Sequence, residues 1–181
     1  MNSDDRRVRK TKKALQDGLA ELMLKKDLRK ITVRELTDHV DIHRATFYAH
    51  YTDVYNLYEQ MENAALEELS AILAEYNYDG IYQLIVDYVY NNAKLSQLLL
   101  DKKLGFYDRL SEFLETKYTE IILLELGLSE LPEEFRYFAT YHMQGCLGIT
   151  CRWAKGGFVY PKEKIIEGIE RLGTHFETLA C

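Results

Sequence analysis

The chain has 181 residues, 47% of them apolar and 29% charged. That is enough for one large domain or two small ones with a genuine core. No apolar run approaches the ~20 residues of a membrane span, and the stretch Met1 to Lys13 lacks the apolar segment of a secretory signal. The net charge of −6 is uneven: residues 1–50 hold 12 Lys and Arg against 8 Asp and Glu, a net +4, and residues 51–181 hold 11 against 21, a net −10. A basic head on an acidic body directs the head alone toward an anion.

Two prolines and ten glycines leave few breaks, and no alternating Val/Thr-rich runs suggest strands. Thr11 to Lys26 carries Leu15, Leu19, Leu22 and Met23 at helical spacing, while Arg6 to Lys10 reads as a solvated tail or as part of the anion-binding head. Thr32-Val33-Arg34-Glu35 is a capping box that opens a second helix, with Val33, Leu36 and Val40 as its inner stripe. Asp41 falls where this helix ends, and Asp tolerates the left-handed conformation of a tight turn. Ile42 then turns inward, and a short third helix runs from His43 or Arg44 to about His50. Thr52-Asp53 caps a long helix to about Tyr76.

"YDG" at 78–80 marks a turn. One helix is expected from Ile81 to Leu100 and another from Gly105 to Glu125. Pro132 suits the first position of the next helix, which ends at Lys155 before "KGGFVYP". Pro161 starts the last helix, to about Leu179. The fold class is all-α, with about nine helices: a three-helix N-terminal unit in residues 1–52 and a helical domain in residues 53–181.

Two helices joined by a tight turn at 41–43 form a helix-turn-helix pattern, whose second member inserts its N-terminal residues into the DNA major groove. Phe47 and Tyr51, spaced i,i+4, face the core. His43, Arg44, Ala45, Thr46, Tyr48 and His50 are then left for the duplex. Arg44 is the candidate base reader, because its fork fits guanine O6/N7, and Thr46 suits a thymine methyl or a phosphate. One exposed polar side chain says little; this set inside one motif says DNA.

The stretch "ITVRELTDHVDIHRATFYAHYTDVYNLYE", Ile31 to Glu59, resembles the DNA-binding domain of the TetR family of bacterial transcription regulators. The shared features are the Thr-x-x-Glu-Leu start, the turn before Ile42, Thr46-Phe47-Tyr48, the aromatic Tyr51 and an Asp53-capped helix with Leu57. The likeness covers about residues 10–60, and "WAKGGFVYPKEKI" also looks like the loop before the last helix in some members. Three positions depart from the family: Asp41 for Gly, His43 for a small N-cap residue, and Val54 for a phosphate-touching Lys. The resemblance implies phosphate contacts from Thr32 and Arg34, and phosphate or sugar contacts from Tyr48 and His50. It also implies a homodimer on a pseudo-palindromic DNA operator. Dimerisation would use the last two helices, through Phe138, Tyr141, Leu147, Ile165, Ile169, Leu172 and Phe176, with Gly145 and Gly148 permitting close approach.

Tyr76, Tyr78, Tyr82, Tyr88, Tyr90, Tyr107 and Tyr118, half of the 14 tyrosines, fall in the middle helices. Aromatic, part-polar walls suit a small organic effector, and Tyr82, Tyr88, Tyr107, Tyr141, His142 and Trp153 are the candidate contacts. The resemblance implies a repressor released when the effector shifts the long fourth helix. An activator of the same fold, or a helical protein-interaction module without DNA binding, are the alternatives. Cys146, Cys151 and Cys181 form no CxxC pair, which fits thiols in a reducing cytoplasm. Neither metal nor cofactor is expected, and no phosphate loop, G-x-S-x-G or H-E-x-x-H points to an enzyme.

Overall fold

In the computed structural model of the chain, residues 3–74, 80–100 and 105–180 are described; Tyr76, Tyr78 and Cys181 lie outside them, as does the side chain of Phe176. Among the described residues there are nine α-helices and no strand. Two compact units divide the chain at Ala65 and Leu66.

The first unit begins with α1, Ser3–Met23. Nothing between Ser3 and Thr11 breaks a helix, and Arg and Lys are good helix formers. Arg6 to Lys10 therefore continue α1 as an exposed basic turn rather than forming a loose tail. Leu15, Leu19 and Leu22 are its buried stripe. A 3-10 turn, Leu28–Lys30, follows, capped by Asp27. Arg29 beside Asp27 holds that carboxyl down at about 2. Helix α2, Val33–His39, and the five-residue α3, Arg44–Tyr48, pack on each other, and α1 packs on α2.

A helical glycine makes the α1–α2 contact possible. A Cβ built on Gly18 would lie 2.2 Å from Val40 Cγ1. Glu21 Oε2 and His39 Nε2 meet beside it at 3.1 Å.

Helix α4, Val54–Ala74, opens with the Asn56 N–H donating to Asp53 Oδ1 at 2.8 Å. The division into units falls inside α4, with its first half, including buried Leu57 and Met61, in the first unit.

In the second unit, the single helix expected over 81–100 is two: α5, Ile81–Asn91, and α6, Ala93–Leu99. Asn92 causes the break. Its backbone N–H and its side-chain Nδ2 both donate to Tyr88 O at 3.0 Å, so the side chain competes for the helix's own acceptor. Helix α7, Phe106–Leu126, lies between left-handed Gly105 and Gly127. It packs on α8, Glu133–Lys155. Pro132 and Pro161 stand one residue before their helices. Helix α9, Lys162–Ala180, packs on α5 and α8. Val86, Leu98, Phe106, Leu114, Met143 and Ile169 are among the buried core residues of this unit.

Candidate nucleic-acid interface and the polar core of the second unit

The start of α2 is built by Thr32, whose hydroxyl accepts from Glu35 N at 3.2 Å. The Glu35 carboxylate, expected to reach back in the capping box, instead meets Lys26 Nζ at 2.5 Å. Lys26 also donates to Lys30 O at 3.1 Å, so Glu35 ties α2 to the preceding turn. Arg34 is exposed, with only a loose 3.6 Å pairing to Asp38. Asp41 has φ +52, the left-handed turn residue its identity suggests. Ile42 is half-buried, and its N–H donates to Thr37 O at 3.0 Å.

The N-cap of α3 is His43, which makes no side-chain cap bond. Arg44, Ala45 and Tyr48 are exposed, while Thr46 and His50 are half-buried. His50 follows the Ala49 C-cap, so it leaves the helix axis. Inside, Phe47 is fully buried and stands 5.6 Å from the ring of buried Tyr51. Burial pushes the Tyr51 phenol up. The five-residue α3 is far too short to persist alone; Phe47 anchors it, and its polar side chains face away from the core. Val54 is buried at the start of α4, and the neighbouring Tyr55 is exposed.

The candidate effector residues separate into three groups. Tyr82 Oη is hydrogen-bonded to His142 Nε2, and the Tyr118 ring stacks on the same imidazole at 5.2 Å. Cys146 Sγ lies 3.7 Å from that Nε2, and burial pushes its thiol up to about 12, so it stays protonated and unreactive. Tyr107 Oη donates to Gln144 Oε1 at 3.2 Å, and Gln144 Nε2 donates to Ser111 Oγ.

The second group, Tyr88 and Trp153, is also buried but makes contacts of its own. Tyr88 Oη donates to Glu68 Oε2 at 3.1 Å, and burial, then the Glu68 charge, holds the phenol well above its ordinary value. Trp153 stacks on Tyr90 at 5.7 Å, meets Phe158 edge-on at 4.8 Å and donates its indole N–H to Tyr160 O at 2.7 Å. Tyr141 stands apart, 75% exposed on the outer side of α8. Of the residues expected at a dimer face, Phe138, Tyr141 and Leu172 are exposed, whereas Leu147 and Ile169 are buried within the chain.

Sequence reasoning passed over Ser111 and the stacking of Tyr118 on His142. Residues 107, 111, 114 and 118 share one face of α7, and that spacing was the available signal. Ser111 also lines a groove of about 630 Å³ between α7 and the start of α8, whose walls include Glu112, Glu115, Glu120, Glu130 and Arg136. Among the described residues, no helix is long and apolar enough to cross a membrane.

The short α3 packed on α2 through the tight turn at Asp41 is a helix-turn-helix, and among the described residues the larger second unit is helical throughout. A family model described as "Transcriptional regulator C-terminal region", of TetR type, matches residues 76–175. The chain therefore belongs to the TetR family of transcription regulators, whose members bind DNA and are not enzymes.

Solved structures share the fold. The "Dihydroxyacetone kinase operon activator DhaS" has TM-score 0.65 and 18% identity over 90% of this chain and 93% of its own. A transcriptional regulator of the TerR/AcrR family from Aquifex aeolicus VF5 has TM-score 0.65 and 15% identity over 90% and 99%. A TetR transcriptional regulator from Streptococcus agalactiae 2603V has TM-score 0.63 and 20% identity over 93% and 96%. A comparison with curated protein sequences gives no match.

Proposed function

We propose that this protein is a dimeric, sequence-specific repressor that leaves a near-palindromic operator when a small organic effector binds its second unit. One observation carries the reading: the outward set Arg44, Ala45 and Tyr48 on a helix anchored by fully buried Phe47. Residues 1–52 carry DNA binding, and residues 53–181 carry effector binding and dimerisation. Thr32, Arg34, Tyr48 and His50 hold phosphate or sugar, His43, Ala45 and Thr46 line the groove, and Arg44 reads a base. Two copies are required because one such module makes few phosphate contacts and binds weakly at ordinary salt. The exposed Phe138, Tyr141 and Leu172 supply the dimer face. Effector contacts fall to Tyr82, Tyr107 and His142, with Tyr88 and Trp153 at the margin. Helix α4 has residues in both units, which makes it the element an effector would bias.

The test is a gel shift of the purified protein with DNA from its own upstream region. A discrete retarded band that competitor DNA does not remove supports the reading, and no band in dilute salt overturns it. Arg44→Ala is expected to lose ~1–3 kcal/mol and relax preference at one base pair. An equal loss on every sequence reassigns Arg44 to phosphate. A reporter carrying the bound site gives the sign: expression that falls when the protein is deleted makes it an activator.

A further inference from the structure

The helix-turn-helix is acidic by its fixed charges. From Val33 to Asp53 the chain holds two cations, Arg34 and Arg44, against four acids, Glu35, Asp38, Asp41 and Asp53. The other Lys and Arg of the first unit stand elsewhere, at 6–13 and 25–30. A net −2 is the wrong sign for a surface that approaches phosphates. The same stretch holds three of the chain's five histidines, His39, His43 and His50, so complete protonation turns its charge from −2 to +1. His39 pairs with Glu21 of α1 at 3.1 Å. The other two flank α3. His43 is exposed at the N-cap and makes no cap bond, and half-buried His50 stands just past the C-cap, 6.3 Å from the Tyr51 ring. Among the described residues, neither imidazole has a hydrogen bond or an ion pair.

We propose that DNA binding is coupled to protonation of His43 and His50, so that the operator is held more tightly as the pH falls from about 8 to about 6. This rests on the operator binding proposed above and adds its regulation. Imidazole is the side chain whose charge ordinarily changes in that range, near about 6.5. A phosphate brought beside it favours the charged form. The complex then binds more protons than the free partners, and affinity rises as pH falls. The gain is fully present at low pH and is lost as pH rises through the titration of the bound imidazole. The five-residue α3 has too few aligned peptides for a strong dipole, so positive charge at its two ends has to come from side chains. The surrounding charges are already engaged or fixed. On α2, Arg34 pairs with Asp38, Glu35 with Lys26 and His39 with Glu21. Asp53 accepts from Asn56 N–H, and Glu59 and Glu62 lie further along α4. Asp41 and Arg44 flank His43 with opposite signs. The other titratable neighbours, Tyr48, Tyr51 and Tyr55, are phenols, which as a class titrate near about 10.

The upstream DNA fragment of the gel shift, fluorescently labelled, reports the linkage by anisotropy at fixed ionic strength. A two- to threefold gain at each of the four imidazoles of a dimer multiplies to about thirtyfold tighter binding at pH ~6 than at pH ~8. The salt dependence steepens in parallel, by about 0.9 in log–log slope for each phosphate contact that a proton adds. Joining His43→Gln to His50→Gln keeps hydrogen-bonding capacity but removes the titration. That double variant is expected to gain less than about threefold over the same range, and each single variant about fivefold. His39→Gln is the control and keeps the full gain. Wild-type protein that binds the fragment with a flat pH profile overturns the linkage and leaves the operator reading standing. So does a gain that survives in the double variant or vanishes in His39→Gln. Should the double variant bind at neither pH, the single variants decide, and the full gain in both overturns the linkage. Wild-type protein that binds at no pH overturns both.

Discussion

In the first unit the hydrogen-bonding side chains of α3 stand outside an apolar plug, Phe47 against Tyr51. In the second unit Tyr82 and Tyr118 are turned inward and close on buried His142, while Tyr107 and Ser111 are buried and tied through Gln144, which itself reaches the surface. The same residue types therefore serve two ends. Outside, they are left to a partner, and altering them changes binding with little change in stability. Inside, each group depends on another, because an unmatched buried polar atom costs about 1–3 kcal/mol. Side-chain chemistry alone does not separate a reading surface from a structural network; burial does.

Substitutions can break that contrast. Phe47→Ala is expected to cost about 3–5 kcal/mol in the first unit and to abolish DNA binding by melting α3. A thermal melt unchanged from wild type would show that Phe47 is not its anchor. Tyr82→Phe leaves His142 Nε2 without its hydroxyl partner and is expected to cost about 1–3 kcal/mol in the second unit, with operator affinity intact. Loss of DNA binding without loss of stability would move Tyr82 out of a structural role. Gly18→Ala gains helix propensity of up to about 1 kcal/mol but drives a methyl into stiff Val40. The net is a loss on the order of 1 kcal/mol, recovered by adding Val40→Ala; denaturant midpoints of the single and double variants decide it. The smallest effect is Asp41→Gly, which trades left-handed strain for unfolded-state entropy and is expected to move stability by no more than about 0.5 kcal/mol. A larger gain would mean that Asp41 is more strained than its φ of +52 implies.

Much of the first unit was legible because its signals are local. The Thr32 cap, the left-handed Asp41 and the inward pair Phe47 and Tyr51 each follow from residues within a few positions of one another. Gly18 was not legible, since its meaning depends on Val40, twenty-two positions away. The break at Asn92 was missed because its side chain takes a carbonyl that helical periodicity assigns to the backbone alone. Tyr141 and His142 were grouped as neighbours in sequence, yet one helical step of about 100° sends one outward and the other into the core. The effector candidates depend on such orientations, and a one-residue offset decides them.

Trp153 is the chain's single tryptophan, wedged between Tyr90 and Phe158 at the turn from α8 to α9. Its emission is thus an intrinsic optical probe of that corner and contains no signal from the DNA-binding unit. Fluorescence and far-ultraviolet dichroism followed on one heating ramp would resolve whether the two units melt together, without a dye or a label.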